Sequence, residues 1–282
     1  MNILEITKQL TDYLTAPDSI MCLAGLILLG GWLLKTSWAR NALADSAPRR
    51  NNMPAYLPFI PLLIWFGAVS LASSIAAKAL PDLPEWQSAF LDNFIVCIGA
   101  IIAMAVIILL AKKHFARQLK GFGLKVKTIP RDFFVAVVNL LSVWPIVVLM
   151  IILTLFLGQL IRGPDFQLPR HQELELITAH SQLSVRLLIV ITAVGVVPVF
   201  EEMLFRGMFQ TMIRSFVIKP WLSILISSGL FATVHPNLEH WPALFVLSIS
   251  MGYAYEKSGS LFRPIFIHSL FNAASVIAAL YQ

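Results

Sequence analysis

The chain has 282 residues, of which 58% are hydrophobic and only 13% charged. A soluble domain of this size carries about 25% charged residues, so the composition excludes an ordinary soluble enzyme and predicts an all-α, polytopic transmembrane bundle. The formal net charge is +6, but the basic residues lie between apolar runs, a membrane pattern that argues against a nucleic-acid partner.

Residues 1–19 are mixed polar, with Glu5, Asp12 and Asp18. The first apolar run, Ile20–Leu34, lacks a basic leader and a small-residue exit, so it reads as a retained helix and not a cleaved signal peptide. Crossing the hydrocarbon core takes about 20 mostly apolar residues. Eight segments are candidates: 19–35, 57–77, 90–111, 133–157, 183–205, 217–235, 241–255 and 264–281. The first and seventh are short. Pro145 and Pro198 fall inside spans, where neighbouring helices can satisfy the freed carbonyls. Cys22 and Cys97 lie in apolar runs and read as small buried hydrophobes. Residues 158–182, with Asp165, Glu173 and Glu175, form an external loop or interfacial helix on this map. Spans in residues 1–182 and a core in 183–282 make one structural unit, with no internal repeat.

Alternating sides place 16 of the 21 Lys and Arg in the loops 35–56, 112–132, 206–219 and 256–263. The other side holds Lys8, Lys78, Arg162, Arg170 and Arg186. The positive-inside rule puts the first set in the cytoplasm and both termini outside.

Ionisable groups at membrane depth are costly and rarely idle. Three clusters stand out. Glu201 and Glu202 end the apolar run Leu187–Phe200, and Met203, Leu204 and Phe205 continue it. Glu202 and Arg206 are four apart with the acid first, the favoured order for an ion pair on one helix face. Glu201 lies about 100° around the helix, so it points elsewhere; a desolvated carboxylate there has its pKa pushed toward that of a general base. The plainer reading is a solvated helix end at the interface. His235 closes a run beginning at Trp221, and Pro236 stops the helix there. A lone His at that position is often a capping or dipole partner, and Phe231 one turn earlier is ordinarily a packing residue. His268 and Asn272 share a face of the last span; they suit a ligand and an oxyanion donor, or an interhelical hydrogen bond.

Polar residues on three apolar helices each need a partner, so the clusters are expected to meet. One carboxylate with His235 and His268 suits a catalytic zinc with an open water position. Glu239 and His240 have the right residue types but the wrong spacing, and read as loop residues. His114, His171 and His180 lie in polar loops and read as solvated. No nucleophilic serine elbow or phosphate loop is present. Gly207 and Gly252 allow close helix approach.

At these residues the chain resembles the CPBP family of intramembrane proteases, which includes type II CAAX prenyl proteases and bacterial Abi-type proteins. Its motifs E-E-x-x-x-R, F-x-x-x-H and H-x-x-x-N occur complete and in order at 201–206, 231–235 and 268–272. Phe205-Arg206-Gly207 and the run at 258–265 also look like that family. The resemblance covers roughly 185–277. It implies a glutamate-dependent hydrolase with its site inside the bilayer. Glu201 would activate water and His235, His268 and Asn272 would complete the site, while Glu202 and Arg206 keep the ion-pair reading.

The reading is thus an intramembrane endopeptidase acting on a membrane protein or peptide in the lipid bilayer, in a bacterial inner membrane. The rival is a non-catalytic scaffold of the same fold. A transporter would favour two related halves with broken helices, and no duplication is visible. One conflict stands in this map. His235 lies about 24 Å along a helix from Lys219, whereas His268 lies about 6 Å past Pro264 on the same side. Either Lys219 sits well out in the cytosol, or a motif helix is tilted or re-entrant.

Overall fold

Long apolar runs in this sequence can satisfy their backbone groups in lipid only as helices. A computed structural model of the chain describes residues 16–169 and 172–280; Lys8, Arg170 and His171 lie outside them. The helices are α1 (Ala16–Lys35), α2 (Phe59–Ala79), α3 (Glu85–His114), the short α4 (Gln118–Phe122), α5 (Ile129–Arg162), α6 (Gln172–Ala179), α7 (Leu183–Phe216), α8 (Pro220–Thr233), α9 (Trp241–Ser258) and α10 (Phe262–Leu280). No strand occurs among the described residues, and one isolated antiparallel bridge joins Asn51 and Phe115. The protein is an all-α, multi-pass membrane bundle.

All eight candidate segments are helical. Six helices, α1, α2, α3, α5, α7 and α10, are long and apolar enough to cross a membrane. The other two flank His235. Helix α8 has 14 residues, about 21 Å, short of the roughly 30 Å hydrocarbon core. Helix α9 has 18 residues.

The largest departure from the sequence map is α7. It does not stop at Phe205 but runs on to Phe216. Residues 206–216 are therefore not a loop, and Arg206 and Arg214 are buried. The reason is packing: Leu204, Met208 and Phe209 are apolar and buried, so the helix stays inside the bundle past its charges. Glu256 and Lys257 likewise belong to α9, not to a loop. Residues 158–182 split between the end of α5 and α6, whose Ile177 packs with Val185, Ile189 and Val276.

The extension of α7 removes the depth conflict. Fourteen residues separate Glu202 from the end of α7, about 21 Å, and α8 returns about the same distance to His235. Lys219 is exposed and immediately precedes α8, at the opposite end of that helix from His235. The turn between α9 and α10 is instead recessed. Leu261 N–H donates to the Gly123 carbonyl at 3.0 Å, and Phe122 beside it lies against Gly207, only five residues past Glu202.

Glycine decides two close approaches. Pro145 has no N–H for the Leu141 carbonyl one turn earlier, and α1 comes down on this point. A Cβ on Gly25 would run into the Leu141 carbonyl and the Pro145 ring. Gly207 serves the same purpose, although its neighbour is the Phe122 ring from the α3–α5 connection and not another long helix. Gly252 meets α8 at Ile224, as expected.

A Gly25→Val substitution is expected to destabilise the protein by about 1–3 kcal/mol through overpacking. Gly30→Val on the same helix, with open space at its Cβ, serves as the control. Thermal unfolding in detergent compares them, and equal midpoints would disprove the contact's importance.

Candidate active site

The three clusters meet around α7. One proline, Pro198, and two π-helical stretches shape this helix. The first stretch spans Ile191–Val196, and there Val197 N–H reaches back five residues to the Thr192 carbonyl. The same register would pair the Ala193 carbonyl with residue 198, which is proline and has no N–H. Asn272 fills the gap: its Nδ2 donates to Ala193 O at 2.7 Å. The amide expected to meet an oxyanion thus gives one of its two hydrogens to the backbone of α7. The second stretch, Met203–Gln210, begins directly after Glu202. π-Bulges of this kind are frequent at functional sites because they re-aim side chains.

Glu202 is fully buried and Arg206 is 1% exposed. Glu202 Oε2 lies 3.1 Å from Arg206 Nε, an ion pair along one helix face as the spacing suggested. The structure adds a second partner: Glu202 Oε1 is 3.0 Å from His268 Nδ1. A carboxylate acceptor places a proton on Nδ1, so in the neutral imidazole Nε2 is the nitrogen that carries the lone pair. That nitrogen faces Glu201 Oε2 at 3.8 Å. The two adjacent glutamates therefore hold opposite edges of one imidazole. Glu202 orients it, and Glu201 stands across from its lone pair. Arg206 is fixed further by α9, where its Nη2 donates to Ser248 Oγ at 2.9 Å.

His235 is half-buried at the end of α8. Its Nδ1 donates to the Phe231 carbonyl at 2.8 Å, which again leaves Nε2 unprotonated. Trp241 Nε1 holds the His235 carbonyl at 3.1 Å. Phe231 itself is more than filler. Its ring lies 4.8 Å from the His235 ring and 5.6 Å from the His268 ring, and the Arg206 guanidinium sits 4.8 Å from its centroid. It is the common wall of both imidazoles and the cation.

Residues 183–274 match a family model. Its description is Type II CAAX prenyl endopeptidase Rce1-like. The match supports the CPBP/CAAX protease resemblance carried by the motifs, and it covers every residue of the cluster just described. An uncharacterized 24.3 kDa protein of Escherichia coli is 29% identical over 117 residues, 40% of this chain. The chain spans about half the length of that relative, 54%. No solved structure matches the chain.

Within this Rce1-like region, no three His, Cys, Asp or Glu side chains among the described residues are grouped to hold a metal ion. Glu202 is occupied by Arg206 and His268, so the carboxylate of the expected zinc set, beside His235 and His268, would be Glu201. Glu239 sits outside the cluster and pairs with Arg162 at 2.8 Å. His114 Nδ1 contacts Asn52 Oδ1 at 3.1 Å at an exposed position, and the backbone carbonyl of His180 accepts from Arg186. Ser248 and Trp241 escaped the sequence reading, because a serine or tryptophan in an apolar helix carries no signal of which neighbour it will meet. A second buried network also went unseen. Glu256 Oε1 is 3.1 Å from Arg214 and its Oε2 is 3.7 Å from Arg49, and Gln210 Nε2 bonds the Gly252 carbonyl at 3.1 Å.

Removing one member of a buried ion pair leaves the other charge uncompensated, at a cost of about 3–5 kcal/mol. Arg206→Ala is expected to lose that much, while the double change Glu202→Gln with Arg206→Met loses much less. Denaturant unfolding in mixed micelles measures both, and equal losses would remove the ion pair from its assigned role. A second expectation concerns pH. Burial holds the His240 imidazole below its ordinary value of 6.5. A hydrogen bond from its own backbone N–H, reinforced by Arg162, lowers the Glu239 carboxyl. Below each ordinary value the unfolded chain binds the proton first, so stability falls with acidification. The thermal midpoint should drop between about pH 7 and about pH 5, and His240→Gln should flatten that slope.

Proposed function

We propose that this protein is an intramembrane endopeptidase of the CAAX type, acting on a peptide bond of a membrane-anchored or prenylated substrate in a bacterial inner membrane. The observation that carries the reading is the 3.8 Å separation of Glu201 Oε2 and His268 Nε2. That gap is long for a direct hydrogen bond and suits one water oxygen between two acceptors. Glu201 takes a proton from this water, and its oxygen attacks the scissile carbonyl. The water has two hydrogens: Glu201 takes one as base, and His268 Nε2 or His235 Nε2 accepts the other. The tetrahedral oxyanion takes the remaining amide hydrogen of Asn272. Protonated Glu201 then delivers the proton to the leaving amine, and the C–N bond breaks. Glu202 and Arg206 do not touch the reacting atoms; they hold His268 in the tautomer that the water needs.

The setting favours this chemistry. Glu201 is 9% exposed, so few bulk water molecules compete with one held beside its carboxylate. The apolar walls at Phe200, Phe205 and Phe231 keep bulk water away. The match to a CAAX prenyl endopeptidase model supports peptide hydrolysis and a lipid-bearing substrate.

A second reading has its own observation. The buried contacts of Glu202, Arg206, Ser248 and His268 bind three helices together, which a non-catalytic scaffold also needs. Glu201 separates the two readings: Glu201→Gln removes the proposed base and leaves the Glu202–Arg206, Glu202–His268 and Arg206–Ser248 contacts in place. Purified Glu201→Gln and His268→Ala proteins, given prenylated and unprenylated membrane peptides, are read by intact mass. Glu201→Gln should retain the fold and lose about 10²–10⁴ in rate. Cleavage at the wild-type rate by Glu201→Gln would sink the hydrolase mechanism and leave the scaffold.

A further inference from the structure

Unpaired positive charge at one end of the bundle is concentrated in the connection between α3 and α5. Residues 112–131 contain Lys112, Lys113, Arg117, Lys120, Lys125, Lys127 and Arg131 and no acid. All seven are exposed, and none makes an ion pair among the described residues. At the same end Arg49, Arg214 and Arg263 are each matched to a carboxylate. Asp132, the next acid in the chain, is buried and taken by Arg263 at 2.6 Å.

A loop that only satisfies the positive-inside rule needs no fixed structure. This one has it. Phe122 is fully buried and its ring rests on Gly207. Its carbonyl accepts from Tyr255 Oη at 2.9 Å. Gly123, at φ +113°, accepts from Leu261. Lys125 Nζ lies beside Gly259 in the α9–α10 turn. Ala116, Arg117, Gln118, Leu119 and Lys120 line an open depression of about 420 Å³, with Gln118 held at φ +49°. Val126 is 72% exposed and Phe134 70% exposed among these charges. Cations interleaved with bare apolar side chains fit the level of lipid headgroups.

We propose that residues 112–131 are a binding surface for anionic lipid headgroups, and that the bound headgroups press Phe122 onto Gly207 and so steady the helix that carries Glu201, Glu202 and Arg206. The occupant follows from charge complementarity. A leaflet rich in anionic lipid attracts juxtamembrane Lys and Arg within about a Debye length of its surface. The surface is anchored to α7 one residue beyond Arg206, so the attraction is passed to the site by contact. This inference does not rest on the proposed hydrolysis, and its test reads no cleavage.

The full chain is placed in nanodiscs of phosphatidylcholine alone, or of phosphatidylcholine with phosphatidylglycerol, and amide hydrogen exchange is followed. In the anionic discs, exchange over 115–128 and over 203–211 should slow about tenfold or more. Raised salt should reverse the effect. The exposed-site variant Arg117→Gln/Lys120→Gln/Lys125→Gln/Lys127→Gln should exchange alike in both discs, and the charge-retaining variant Arg117→Lys/Lys120→Arg/Lys125→Arg/Lys127→Arg should behave as wild type. Equal exchange of the wild type in the two discs would overturn the proposal. So would slowing in neutral discs by inorganic phosphate, or by an acidic peptide, which would assign the surface to a soluble anion or a protein partner. Protection confined to 115–128 would overturn the link to α7.

Discussion

Everything at the centre of this bundle depends on placing a carboxylate and a guanidinium where water cannot reach them. Burying either charge alone would be costly. Their mutual contact is not sufficient either, since a carboxylate has two oxygens and a guanidinium five donors. The remaining valences recruit His268 from α10 and Ser248 from α9. A single buried pair thereby fixes the relative position of three helices. It also fixes the tautomer of His268, which is a chemical consequence of a packing constraint.

The backbone around that pair is bent to suit it. Pro198 and the π-helical register leave the Ala193 carbonyl without a helical donor, and Asn272 supplies one from α10. Structural and chemical demands thus fall on the same side chains. Asn272 ties α10 to α7, and Phe231 gives His235 a carbonyl while its ring lies against His268. Beyond the site, Gly207 lets the α3–α5 connection lie against α7. Gly207, one residue past Arg206, is therefore in direct contact with the connection that carries the basic surface.

Much of this was legible in the chain. The helical class and the eight helical segments follow from runs of apolar residues, because lipid leaves the backbone no other means of satisfying itself. The Glu202–Arg206 pair is local, four residues apart on one helix, so spacing alone suffices. The convergence of His235, His268 and the glutamates was inferable from cost, since each needed a partner away from water. The end of α7 was not legible. Arg206 and Arg214 looked like loop charges because the acid that holds Arg214, Glu256, is 42 residues away.

The sequence by itself determined the membrane-spanning helical class, the identity of the polar side chains and the i,i+4 ion pair, all of which depend on composition or on neighbours along one helix. Only the tertiary structure decided that Glu202 orients His268, that Asn272 repairs a proline-broken carbonyl, and that Phe231 stands between two imidazoles. Those contacts join residues 37 to 79 positions apart. Their geometry depends on how a π-bulge turns α7 and on how closely glycine lets the helices approach, and neither quantity is written in the spacing of a motif.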